Sequence, residues 1–262
     1  DVRLDRLLVR GETNSGLAAV LAKRAGIPVA DMEAGNRCHD DRVPEEVNRR
    51  VIDHASDLLL PYTERARENL LREGVPGRRV FVTGNPIYEV LRHHEAAVAG
   101  SDVLRRLGLE PGGFFLATAH RAETVDDPGR LRELLAALNG VHDEWGLPVV
   151  VSTHPRTRDR LAAVGGGDAP GVSFVEPFGF FDFVRLEQAA RCVLSDSGTV
   201  QEECAILGRP CVILRDTTER PEVLEAGGGV LAGVDAGSVR RAVRQALRRP
   251  EGGAPPAGYL AT

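Results

Sequence analysis

VLSDSGTVQEECAILG, residues 193–208, decides how the rest of the chain is read. Its apolar start reads as a buried strand, which runs straight into Ser-Gly-Thr and then into a helix-forming segment with Glu202 and Glu203 in its first turn. The same alternation extends in both directions. Upstream lie the strand candidates LLVRG, IPVADM, DLLLPYT and RVFVTG, separated by helix-period segments. Asn14 or Ser15 is suited to cap the first of these helices, Pro44 to open the second and Thr63 to cap the third. From FFLAT onward come PVVVST, VSFV, CVLSD, PCVIL and GVLAGV, ending in the helix AGSVRRAVRQALRR and a loop-like tail, EGGAPPAGYLAT. Strands alternating with helices predict an α/β fold with parallel sheets. The mixed segment 86–113 separates two sets of units, so the expected organisation is a partial N-terminal domain, 1–95, and a C-terminal domain, 96–262.

The 262 residues are 42% hydrophobic and 27% charged, enough to bury a sizeable core. No apolar run approaches the roughly 20 residues of a membrane span, and no signal-peptide order opens the chain. Cys38, Cys192, Cys204 and Cys211 show neither a C-x-x-C pair nor metal-ligand spacing, which predicts free thiols, a reducing cytoplasm and no metal. A net charge of −5 and a pI near 5.9 argue against a nucleic-acid surface and for a small partner.

Ligands of open α/β sheets sit outside the carboxyl ends of the strands. Those positions here hold Glu12, Glu33, His120, Arg121, His154, the run Asp196–Thr199, and the run Arg215–Glu219, next to Arg220, in RDTTERPE. Ser197, Gly198 and Thr199 at a helix start suit a phosphate, and Glu203 one turn later suits vicinal ribose hydroxyls. An ordinary Asp/Ser cap with dipole-favoured acids accounts for the same residues equally well. The segment MEAGNRCHDDRVPEEVNRR, including Arg42, reads either as a solvated, salt-bridged loop or as a place where Glu33 and Glu45 converge on one cleft. His120 is either a structural hydrogen-bonder or a functional group. Arg215 and Arg220 suit a diphosphate or a sugar.

Taken together, RGETNSGLAA, DMEAGNRC, RVPEEVNRR, TGNP, AHRAET, HPRT, LSDSGTVQEE and LRDTTERPE resemble the non-hydrolysing UDP-N-acetylglucosamine 2-epimerases in order and spacing, over nearly the whole chain. The forms EAGNRC and VPEEVNRR resemble the bacterial branch serving capsule, surface-polysaccharide or secondary-metabolite sugars. The resemblance implies a glycosyltransferase-B-like fold, two Rossmann-like domains with the nucleotide between them. It implies inversion at C2 of a UDP-N-acetylhexosamine by proton abstraction and loss of UDP through a 2-acetamidoglucal, with neither cofactor nor metal, in a cytoplasmic homodimer that binds neither nucleic acid nor membrane. Glu12, Glu33, Glu45 and His120 would be catalytic, with acid and base unassigned. Ser197, Gly198 and Thr199 would hold the diphosphate, Glu203 the ribose and Phe183 the uracil; Arg121, His154, Arg215 and Arg220 would also contact the substrate. Core packing is the other reading of Phe183 in FGFFDF.

The family usually shows Asp where Glu12 stands, one methylene shorter, which puts catalysis in question more than nucleotide binding. The resemblance also implies about three β/α units ahead of the first strand and a crossover helix beyond the tail, so the chain is a fragment or a shortened form. Three other functions use the same cleft: a glycosyltransferase of this fold, a hydrolysing 2-epimerase, or a UDP-sugar-binding protein without catalysis.

Overall fold

β1 (Leu7–Arg10), α1 (Ala18–Arg24), β2 (Val29–Met32), α2 (Pro44–Ala55), β3 (Leu58–Leu60) and α3 (Glu64–Arg72) open the chain in the computed structural model. It describes residues 4–41, 43–167, 169–248 and 254–260. Arg42, Arg249 at the end of the expected last helix, and residues 251–253 and 261–262 of the tail lie outside the described residues. Three helices follow, α4 (Pro86–His93), α5 (Glu95–Ala99) and α6 (Val103–Leu107). Then come β4 (Phe115–Thr118), α7 (Ala122–Val125), α8 (Pro128–Trp145), β5 (Val149–Ser152), α9 (Pro155–Leu161), β6 (Val172–Val175) and α10 (Phe180–Ala189). The last elements are β7 (Cys192–Ser195), α11 (Gly198–Leu207), β8 (Cys211–Ile213), α12 (Pro221–Glu225), β9 (Val230–Leu231) and α13 (Ala236–Leu247). The chain forms two units: one runs up to Glu89 and takes in Thr218–Glu222 and the residues from Ala257, and the other holds Val90–Thr217 and Val223–Pro256.

In the first unit β1, β2 and β3 form a parallel sheet in that order, with Val9, Asp31 and Leu59 in register. Pro44 occupies the first turn of α2 beside Glu45 and Glu46, whose charges suit the helix N-terminus. The Thr63 hydroxyl caps α3 by accepting from the Ala66 N–H at 3.1 Å. Two expectations are corrected here. The segment after RGE does not cap a helix at Asn14 or Ser15; Asn14–Leu17 is a 3₁₀ turn, and α1 begins only at Ala18. RVFVTG is not a strand of the sheet: it makes a single bridge, Val80 with Leu59. The Phe81 and Thr83 N–H groups donate to the Leu59 and Pro61 carbonyls at 2.9 and 3.0 Å, but proline has no N–H to return, so the ladder stops.

In the second unit six parallel strands lie in the order β6-β5-β4-β7-β8-β9. Phe115, Ala117, Val149, Val151, Leu194 and Val212 pack on one face against α8 and α13. Phe114, Leu116, Val150, Val193, Cys211 and Ile213 pack on the other, against α10 and α11 residues. Both faces are covered, which is why these strands read as unbroken apolar runs rather than alternating ones. GVLAGV contributes only Val230 and Leu231 to the sheet. The order reverses between β4 and β7, and a doubly wound sheet opens its ligand crevice at the carboxyl ends of such a pair.

Candidate active site

Glu33 follows β2 directly and has φ 68°, a left-handed conformation that costs a non-glycine residue on the order of 1–3 kcal/mol. The loop around it is over-determined. The Glu33 N–H donates to the Leu60 carbonyl at 3.2 Å, continuing the pairing with β3. Gly35, at φ 81°, donates to both Asp53 carboxyl oxygens at 3.2 Å and accepts from Asn69 Nδ2 at 3.0 Å. A Cβ at Gly35 would stand 2.2 Å from the Ala66 carbonyl oxygen of α3, so only glycine fits. Arg37 is fully buried at its side chain and pairs with Asp53 at 2.7 Å and, through two nitrogens, with Glu73 at 2.6 and 2.8 Å.

Beneath this loop Asp31 of β2 and Asp53 of α2 are buried carboxyls in hydrogen-bonding contact. Burial, reinforced by the Asp53 charge and hydrogen bond, pushes Asp31 up to about 10, and burial raises Asp53 as well. One proton therefore stays between them at neutral pH. Unfolded Asp31 loses its proton near pH 4, whereas the folded residue keeps it to about pH 10, so stability falls as pH rises through that window. Asp31→Asn supplies an N–H in place of the shared proton. It is expected to raise stability at pH 8 by about 1–3 kcal/mol, with no gain at pH 4, in thermal unfolding followed across pH. An unchanged pH profile would count against the shared proton.

Charges of alternating sign run from Glu12 to Glu33 within this first unit. Glu12, after β1, pairs with Arg49 at 3.2 Å, and Arg49 reaches Glu46 at 3.1 Å and Glu219 at 3.8 Å. Glu219 pairs with Arg220 at 2.8 Å, and Arg220 closes on the Glu33 carboxylate. The side chains of Arg49, Glu219 and Arg220 are at most 5% exposed. Glu45 is half-buried on α2, four residues before Arg49, at a spacing that shares a helix face. Glu46 is fully buried; burial pushes its carboxyl up, but hydrogen bonds from Cys38 and His39 and the Arg49 charge outweigh this and leave it below the usual range. Glu219 lies in the run that follows β8, whereas Arg49 escapes a reading of strand ends because it sits on α2; its one sequence signal is the density of charge in PEEVNRR.

In the second unit the carboxyl ends of β4 and β7 carry His120, Arg121 and residues 196–199 at the reversal of strand order. Asp196, fully buried, accepts from the His120 and Arg121 backbone N–H groups at 2.9 and 2.8 Å, and its other oxygen lies 3.3 Å from His120 Nδ1. Burial pushes the His120 imidazole below its ordinary value, against the pull of Asp196. Ser197 is the N-cap of α11 yet its side chain makes no capping hydrogen bond, and Asp196 is turned toward β4. The ordinary Asp/Ser cap is thus not built at the start of α11.

Glu203 is buried on α11, and burial raises its carboxyl to about 7. Phe183 on α10 is half-buried and packs on the core face that contains Leu186 and Val200. His154 caps α9 by accepting from the Arg156 N–H at 3.2 Å, with its ring centroid 5.5 Å from that of His120. Arg215 is buried, with Nε 4.0 Å from Glu123. Arg220 does not accompany it but belongs with Glu33 in the first unit. A separate cavity of about 340 Å³ between α11, β8 and α12, lined by Cys204, Arg209, Cys211 and Glu225, contains none of the expected site residues.

The family model described as UDP-N-acetylglucosamine 2-epimerase matches residues 1–257. A UDP-N-acetylglucosamine 2-epimerase of Methanocaldococcus jannaschii is 38% identical over 94% of this chain and 69% of its own length. A UDP-2,3-diacetamido-2,3-dideoxy-D-glucuronate 2-epimerase of Pseudomonas aeruginosa is 37% identical over 92% of this chain and 67% of its own. The crystal structure of the M. jannaschii UDP-GlcNAc 2-epimerase in complex with UDP-GlcNAc and UDP superposes with a TM-score of 0.91 at 36% identity, covering 98% of this chain and 73% of that one. By its residues, its sheet order and these matches, the chain belongs to the UDP-N-acetylglucosamine 2-epimerase family.

Proposed function

We propose that the protein inverts C2 of a UDP-N-acetylhexosamine, converting UDP-N-acetylglucosamine to UDP-N-acetylmannosamine. The observation that carries this reading is Glu33, held in a strained main chain with its carboxylate on Arg220, at the end of a buried relay that reaches Glu12. A carboxylate removes the C2 proton, and the C1–oxygen bond breaks with its electron pair passing to the diphosphate. The resulting 2-acetamidoglucal takes UDP back at C1 and a proton on the opposite face of C2. Glu12, Glu33 and Glu45 supply base and acid. The Ser197 hydroxyl and the N–H groups of Gly198 and Thr199, with His120, Arg121, His154 and Arg215, stabilise the departing diphosphate, while the Ser197 N–H is held by Ser195 Oγ at 3.0 Å. Glu203 receives the ribose hydroxyls and Phe183 the uracil face.

Incubation of the intact protein with UDP-N-acetylglucosamine alone in deuterated water tests the reading, because epimerisation needs no acceptor. The expected result is deuterium at C2 together with the manno epimer. UDP binding without exchange, or release of free sugar, would overturn it. The diacetamido glucuronate nucleotide of the Pseudomonas relative, run in parallel, reads the substituents accepted at C3 and C6. Glu203→Ala is expected to weaken UDP binding about 10- to 100-fold by calorimetry, the worth of one to two charge-assisted hydrogen bonds. The same proposal includes a cytoplasmic homodimer, whose stoichiometry light scattering reads. Among the described residues no helix is long and apolar enough to cross a membrane.

A further inference from the structure

Glu187 lies on α10 between Leu186 and Gln188, is 0% exposed, and among the described residues neither of its carboxyl oxygens meets an N–H or O–H donor. What it does meet is another acid, the Glu203 carboxyl on α11, within hydrogen-bonding reach. Two carboxyl groups in such contact require a proton between them, since two buried like charges repel strongly. The other titratable groups facing the pair are Glu202 and Cys204 on α11 and Cys211 on β8, and none of them is a cation. Leu186 and Val184, its neighbours on α10, are the residues a core position normally carries. An acid at 187 costs stability that an apolar residue would not.

The cost has a use if Glu203 must present an oxygen to a ligand. A proton held by Glu187 occupies the inner side of the Glu203 carboxyl and leaves its charge on the slightly exposed outer side, where two vicinal hydroxyls can donate. We propose that Glu187 is a positioning residue for the nucleotide's ribose, fixing the Glu203 carboxyl through a shared proton so that the site selects UDP over its 2′,3′-dideoxy analogue. The inference rests on the reading above that Glu203 meets the ribose.

Calorimetric affinities of the intact protein for UDP and 2′,3′-dideoxy-UDP, taken as a ratio, cancel the diphosphate and uracil contacts and their titrations. The wild type is expected to prefer UDP about 10- to 100-fold. That preference should decline as pH rises and the pair loses its proton. Glu187→Leu should reduce the ratio at least tenfold while leaving the dideoxy affinity within about twofold. Glu187→Gln, which donates an N–H without titrating, should keep the ratio within about threefold and abolish its decline at high pH. A Leu variant with the wild-type ratio, or a Gln variant that loses as much as Leu, overturns the role of Glu187 alone. A wild-type ratio near one overturns the ribose reading of Glu203 and this inference with it. Should the Leu variant fail to fold, the pH profile of the Gln variant decides.

Discussion

Glu33→Gln leaves UDP affinity within about threefold of wild type and lowers C2 deuterium exchange by about 10²- to 10⁴-fold, the usual contribution of a positioned acid or base. The amide has the shape of the carboxylate, so the left-handed turn and the Leu60 hydrogen bond persist. Arg220 still has Glu219 at 2.8 Å, so no buried cation is stranded. What disappears is a group able to take or give a proton at C2, an interaction needed only on the way to the transition state. Paired calorimetry and proton NMR separate the two effects. Exchange at the wild-type rate, or a loss of affinity matching that of Glu203→Ala, would remove Glu33 from the chemistry.

Arg37→Met is expected to cost about 3–5 kcal/mol of stability, the usual result of deleting one partner of a buried ion pair. The guanidinium serves Asp53, Glu73 and the Asn36 carbonyl at once, from a side chain with no solvent exposure. Methionine fills part of the volume but leaves Asp53 beside Asp31 without a cation, in the place where burial already raises both acids. At about 2–4 °C per kcal/mol for a chain of this size, the melting temperature should fall by roughly 6–20 °C. A fall under 2 °C would mean that the Asp31–Asp53 proton alone supports the loop.

The fold was legible wherever local chemistry and tertiary need coincide. The strands of the six-stranded sheet announce themselves because both faces are covered, and Thr63 caps α3 as its position before ERARENLL predicts. RVFVTG has the composition of a strand, yet what excludes it from the sheet is Pro61, directly after β3, a pairing partner that its own residues do not reveal. The same division holds at the site. Glu12, Glu33 and His120 are visible as polar residues that follow strands. What the sequence hides is the pairing: Asp196 meets His120 across 76 positions, Arg220 meets Glu33 across 187, and Arg49 meets Glu219, and only the folded chain joins them. Asp31 did leave a trace, an acid inside the apolar run IPVADM, whereas Glu187, between Leu186 and Gln188, reads as an ordinary helix acid.

The left-handed main chain at Glu33 sets two selective pressures against each other. A glycine or asparagine there would relax the turn, so a screen for heat tolerance alone would drift toward those residues and discard the carboxylate. Laboratory evolution under selection for turnover should therefore hold this glutamate fixed, and under selection for durability alone should lose it.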